Sequence, residues 1–143
     1  MCTTARRVQM LEACREAGIP TMVWLSPILP FLNDTEENLM GLLRYCARAR
    51  VRRIICFGMG LTLREGNREY VFSQLDRHFP GLSDRYRRCY GSAYEVVSPR
   101  GRALMSLMEE FCWEQGICMD LQENFHFLRE FPNKLEERQM KLW

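Results

Sequence analysis

Apolar residues follow two kinds of pattern along this chain. From Ala5 to about Ala17, Val8, Leu11 and Cys14, with Met10 beside them, recur at helical spacing. Thr3 and Thr4 stand where a helix cap belongs, and Gly18 where a helix stops. Ile19-Pro20 then leads into Thr21-Met22-Val23-Trp24-Leu25, an apolar run without alternation. Such a run predicts a strand buried on both faces, as in a parallel sheet. Ser26-Pro27 ends it, and a loop runs from Ile28 to Asn33. Asp34 or Thr35 caps the next helix, with Glu36 and Glu37 in the first turn, where the helix dipole favours acids. That helix is predicted to reach about Ala49. Ile54-Ile55-Cys56-Phe57 is a second uniformly apolar run, followed by Gly58-Met59-Gly60.

Further helices are predicted from Arg68 to Phe79, closed by Pro80-Gly81, and from Ser83 to about Cys89. A last long helix has Ser98 as its cap and Pro99 in its first turn, and ends near Gln115-Gly116. The tail from Met119 mixes aromatic and charged residues and is assigned no element. Helix, strand, helix, strand is the order of βα units with right-handed crossovers. Only two strands are convincing, however, and two parallel strands leave bare edges and uncovered faces. The pattern therefore reads as part of a larger α/β barrel. The edges would be covered by a missing N-terminal half or by a second copy of the chain.

Composition narrows the picture. Apolar residues make up 47% of the 143, enough for a packed core. The formal net charge of +2 does not by itself indicate a nucleic-acid binder. Lysine occurs only at Lys134 and Lys141, so nearly all the positive charge is arginine, whose planar fork suits carboxylates and phosphates. The seven cysteines (Cys2, Cys14, Cys46, Cys56, Cys89, Cys112 and Cys118) are odd in number and contain no CxxC pair. That argues against a disulfide scaffold and for a reducing, cytoplasmic setting. Cys112 and Cys118 are isolated from His78 and His126, which speaks against a zinc site. Arg6 and Arg7 precede no apolar segment of the signal-peptide kind, and no apolar run is long enough to cross a membrane.

Several blocks carry a family resemblance. The stretch from Ala17 to Asn38 resembles the fifth strand and following loop of radical S-adenosylmethionine (radical SAM) barrels. The stretch from Ile55 to Tyr70 resembles the sixth-strand region of the spore-photoproduct-lyase-like subfamily. Phe79-Pro-Gly-Leu, Arg88-Cys-Tyr-Gly, Tyr94-Glu and Phe131-Pro continue that resemblance. It implies an α/β fold, the C-terminal fragment of a partial (β/α) radical SAM barrel with a helical C-terminal extension. Residues 1–67 would be barrel units, 68–118 the extension and 119–143 a tail. The family binds a [4Fe–4S] cluster through a CxxxCxxC loop, and this chain has none. The expected function is accordingly that of the C-terminal portion of a DNA-repair-type lyase, inactive alone. Cluster and S-adenosylmethionine would belong to the longer family members.

In such a barrel the loops after the strands line the active site. The resemblance therefore makes Ser26, Pro27, Ile28, Asn33 and Asp34 on one lip candidates to face S-adenosylmethionine or substrate. Phe57, Gly58, Met59, Arg64, Glu65 and Asn67 are their counterparts on the next. Asn33-Asp34 also reads as a turn and cap, and Arg64-Glu65 as a surface ion pair. Cys56 is a candidate hydrogen-atom donor, its competitor being a buried structural thiol. Arg85, Arg87, Arg88, Tyr90 and Tyr94, with Tyr86, form an arginine–tyrosine region suited to nucleic acid, or else a solvated helix face with tyrosines in the core. Arg48, Arg50, Arg52 and Arg53 form a second basic run. Gln139, Met140, Leu142 and Trp143, around Lys141, are similar to the glutamine-led peptides that dock on the DNA sliding clamp. The alternative to the lyase reading is thus a non-catalytic module binding DNA or that clamp.

Overall fold

A computed structural model describes residues 3–130. Helix α1 spans Thr4–Glu16, started by Thr3, whose hydroxyl accepts from the Arg6 amide at 3.3 Å. Helix α2 spans Glu36–Arg48 and is capped by Thr35, which accepts from the Asn38 amide at 3.2 Å. Leu39, Leu43 and Cys46 form its buried stripe, one residue per turn. Helix α3 spans Asn67–His78, α4 Leu82–Tyr90 and α5 Gly101–Glu114. Leu104, Met108 and Cys112 give α5 a matching stripe, and α2 and α5 pack face to face. Ser98 precedes α5 and its hydroxyl accepts from the Arg100 amide at 3.0 Å.

Strands β1 (Val23–Trp24) and β2 (Ile54–Ile55) pair in parallel, Val23 opposite Ile54 and Trp24 opposite Ile55. Cys118 continues this ladder on the far side of β2 through a parallel bridge to Arg53. Strands β3 (Gly60–Thr62) and β4 (Glu95–Val97) form a separate antiparallel pair. Helix α6 (Leu121–Phe127) lies against β2. Its buried Asn124 amide donates to the Ile54 carbonyl at 3.0 Å and accepts from Arg53 at 3.2 Å.

The expected barrel fragment does not form. Six helices hold just over half of the described residues, and the two sheets have two strands each, so this is a small, mostly helical domain. The physical reason lies in β1 and in the turn after β2. Ile54 and Ile55 are fully buried, but Trp24 is 57% exposed, so β1 is not enclosed on both faces. Pro20 and Pro27 flank β1 and lack the amide hydrogen a longer ladder needs. After β2, Gly58 takes a positive φ of 134° and the chain turns into β3 instead of entering a crossover helix. Besides β3, two further elements lie where the apolar pattern predicts none. The β-branched Val96-Val97 pair between Ser92 and Pro99 marks β4. Asp120 with Glu123 three residues on marks the start of α6, where Asp120 accepts from the Glu123 amide at 2.8 Å.

Two apolar clusters result. The larger joins α2, α5 and β2 with Val8, Leu25, Ile28 and Met59. The smaller gathers Leu63, Leu75, Tyr86 and Val96 between α3, α4 and the antiparallel pair. Buried polar contacts hold the segment from Pro30 to Asp34 to α4 and to the chain just before α5. Tyr86 donates its hydroxyl hydrogen to the Pro30 carbonyl at 2.7 Å, and the Ser98 hydroxyl donates to the Asp34 carboxylate.

Candidate functional site

The ends of β1 and β2 open into a cleft of about 470 Å³ beside the antiparallel pair. Ser26, Phe57, Gly58, Met59 and Arg64 line it, together with Trp24, Gly60 and Glu95. Parallel pairing explains the convergence: both strands end at the same edge, so loops some thirty residues apart in sequence meet there. The floor is aromatic. Trp24 and Phe57 have ring centroids 5.3 Å apart, and Phe125 of α6 lies 6.3 Å beyond Phe57. Trp24 and Phe57 are both more than half exposed, which for large rings points to an open contact surface and not to core. Arg64 donates through Nε to the Tyr94 hydroxyl at 3.1 Å, so Tyr94 positions a cation at the rim.

Other candidates lie elsewhere. Pro27, Ile28 and Asn33 border a second cavity of about 400 Å³ on the other side of β1, roofed by α1 and α2. Ile28 is a core residue, and the Asn33 carboxamide oxygen accepts from the Leu29 amide, closing a turn. Asp34 is buried on Ser98. Glu65 and Asn67 are exposed and line neither cavity, and Asn67 donates to the Thr62 carbonyl at 3.2 Å. Cys56 packs into the larger core, its Sγ 3.6 Å from the Gly58 carbonyl and 3.9 Å from the Met105 sulfur. Burial pushes its thiol pKa up, partly offset by the Gly58 contact, so it stays protonated at neutral pH.

In the arginine–tyrosine region, Arg87 is engaged by Asp84 at 3.0 Å and Asp76 at 3.8 Å and lies over the Phe72 ring. Arg85 lies over Phe31, and Tyr90 donates to the Val97 carbonyl at 2.8 Å. Arg88 stays exposed with no ion-pair partner among the described residues. Burial raises the pKa of both Tyr86 and Tyr90, which keeps both phenols neutral. Reading the pattern as nucleic-acid contacts missed Arg68, which holds the loop before β4 by donating to the carbonyls of Ser92 at 3.1 Å and Ala93 at 2.7 Å. Gln139, Met140, Leu142 and Trp143 lie outside the described residues.

The described cysteines are free thiols, and burial raises Cys46 and Cys112 to about 11. Among the described residues no three His, Cys, Asp or Glu side chains are grouped to hold a metal. A cluster needs thiolates held together, so these residues do not fit one. No helix among the described residues is long and apolar enough to cross a membrane.

The molecule is thus a small helical domain with an aromatic-floored cleft between two strand pairs. It is 36% identical over 88 residues to the protein Rv2578c of Mycobacterium tuberculosis (strain H37Rv) and equally to Mb2609c of Mycobacterium bovis, both named as uncharacterized. The matched stretch is 62% of this chain and 25% of each relative, so it spans about a quarter of the length of the curated relatives it matches. No family model and no solved structure matches the chain.

Proposed function

We propose that this chain supplies the substrate-side wall of a radical SAM protein resembling spore photoproduct lyase, and that the cluster-binding part lies outside it. One observation carries the reading. Ser26, Phe57, Gly58, Met59 and Arg64, singled out by the resemblance on two separate lips, line one cleft. Its volume falls within the range of small-ligand sites, and its exposed rings suit stacking on a flat heterocycle. Ser26, Arg64 and Glu95 offer polar contacts around that apolar floor. The greater length of the mycobacterial relatives agrees with a domain that works inside a larger protein.

The cysteines here do not fit the cluster, so no chemical step is assigned to this chain; its residues bind and orient. The test compares two proteins reconstituted anaerobically with iron and sulfide. The Mycobacterium tuberculosis relative is expected to hold a [4Fe–4S] cluster and, after reduction, to form 5′-deoxyadenosine from S-adenosylmethionine. This chain alone is expected to do neither. A stoichiometric cluster on this chain, or a relative that takes up none, overturns the proposal.

A further inference from the structure

At the opposite ends of β1 and β2 from the aromatic cleft lies a third, smaller recess of about 250 Å³. Four arginines line it: Arg15, Arg50, Arg52 and Arg53, with the Gly18–Thr21 turn and Phe127. Among the described residues no carboxylate lines it. We propose that this recess binds the phosphate group of an anionic ligand.

The alternative is that the arginines only cap the ends of α1 and α2, whose carbonyls attract cations. The hydrogen bonds argue against that for two of the four. After α2, the Arg50 amide donates to the Ala47 carbonyl at 2.9 Å and the Val51 amide to Cys46 at 3.0 Å. After α1, the Gly18 and Ile19 amides close the last turn in the same way, on Arg15 at 3.0 Å and Cys14 at 2.8 Å. Arg15 adds a contact to the Arg48 carbonyl at 3.5 Å and pairs with Glu16 at 3.6 Å. Arg53 is fixed by Asn124, by Glu123 at 3.8 Å and by the Phe127 ring at 4.9 Å. That leaves Arg50 and Arg52 exposed, with no acidic partner among the described residues. By contrast, Arg48 pairs with Glu12, Arg87 with Asp76 and Asp84, and Arg100 with Glu36.

Backbone geometry also bears on which variant to use. Arg50 stands just past the helix end at φ 56°, a left-handed position that favours glycine. A bulky arginine there carries strain that glycine would not. The recess is smaller than a typical drug-sized site, so it suits one charged group of a larger ligand. Arginine forks bond phosphate oxygens in pairs, and two held arginines beside two exposed ones bring that chemistry to one recess.

The phosphate could come from a nucleic-acid backbone or from a small phosphate ester, and two probes separate them. A short fluorescein-labelled single-stranded oligodeoxynucleotide is titrated by anisotropy at several salt concentrations, and pyrophosphate is titrated by calorimetry. Arg50→Gly combined with Arg52→Gln is expected to weaken whichever probe binds about tenfold or more. For the oligonucleotide, the slope of affinity against salt is expected to fall by about two phosphate contacts. Arg50→Gly relieves strain, so this variant should melt no lower than the wild type, which separates lost binding from unfolding. Arg100→Gln is the control and leaves binding unchanged. Oligonucleotide binding in the recess assigns the phosphate to nucleic acid; pyrophosphate binding alone assigns it to a small ester. Failure of both probes, binding unchanged in the double variant, or binding lost on Arg88→Gln instead overturns the proposal. None of this depends on the radical SAM reading, so an absent cluster leaves it standing.

Discussion

Removing a single oxygen, by Tyr86→Phe, tests how the loop from Ile28 to Asn33 is held to the smaller apolar cluster. Tyr86 is 1% exposed, and its ring packs edge-on against Phe31 at 5.9 Å and Phe72 at 6.4 Å, with Tyr90 at 5.6 Å. Phenylalanine keeps those contacts. The substitution removes the hydroxyl that donates to the Pro30 carbonyl, 56 residues away in sequence. Pro30 is itself buried, so its carbonyl loses its partner where water cannot readily replace it. An orphaned buried acceptor costs about 1–3 kcal/mol. For a domain of this size that lowers the melting temperature by about 3–10 °C. Urea unfolding followed by far-UV circular dichroism measures it, with an unchanged m-value showing that the denatured state is not altered. Tyr94→Phe is the comparison. Tyr94 is 52% exposed and its hydroxyl accepts from the exposed Arg64, so its loss is expected to stay within about 0.5 kcal/mol. If Tyr86→Phe proved as stable as Tyr94→Phe, the Pro30 contact would not be what holds that loop to the smaller cluster.

Packing and titration give two further predictions. Gly60→Ala drives a Cβ into the Val96 carbonyl oxygen, backbone that cannot rotate away, so the antiparallel pair must open. A loss of at least about 2 kcal/mol in urea unfolding is expected, and a melting curve matching the wild type would contradict it. The Cys46 and Cys112 thiols, raised by burial from 9.0 to about 11, favour the neutral form in the folded state. A raised folded pKa gives stability that is present below the unfolded value and lost as pH climbs through the folded one, so stability should fall between about pH 9 and 11. Cys46→Ala with Cys112→Ala should flatten that decline in urea midpoints taken across the range; an equally steep decline would point to other groups.

The helices were largely legible from local pattern. Thr35 with Glu36 and Glu37, and the spacing of Leu39, Leu43 and Cys46, specify the start and the buried face of α2 within one stretch of chain. Capping and the 3.6-residue period act between near neighbours, so they can be read without knowing the fold. Even α6 carries a local signal in Asp120 and Glu123, hidden among aromatic and charged residues. The candidate cleft was legible in part. The residues after each apolar run could be named from the sequence, but which of them share a cavity could not.

That was settled by tertiary structure. An apolar run can be a strand enclosed on both faces or a short strand with one open side, and only its neighbours decide. The Ile54-Ile55 run is enclosed while Trp24 of the other run stands open, and this difference separates a barrel segment from a two-stranded ladder. Gly60 to Thr62 pairs with a partner more than thirty residues away, a choice no local pattern contains. The tyrosines and arginines around α4 show the same division of labour. Tyr86 turns into the core and Arg87 to two aspartates, because burial and charge compensation are set by what the fold brings alongside. Local hydrogen bonding and periodicity lie in the sequence itself; strand partners, exposed faces and paired charges are contacts between distant segments and exist only once the chain has folded.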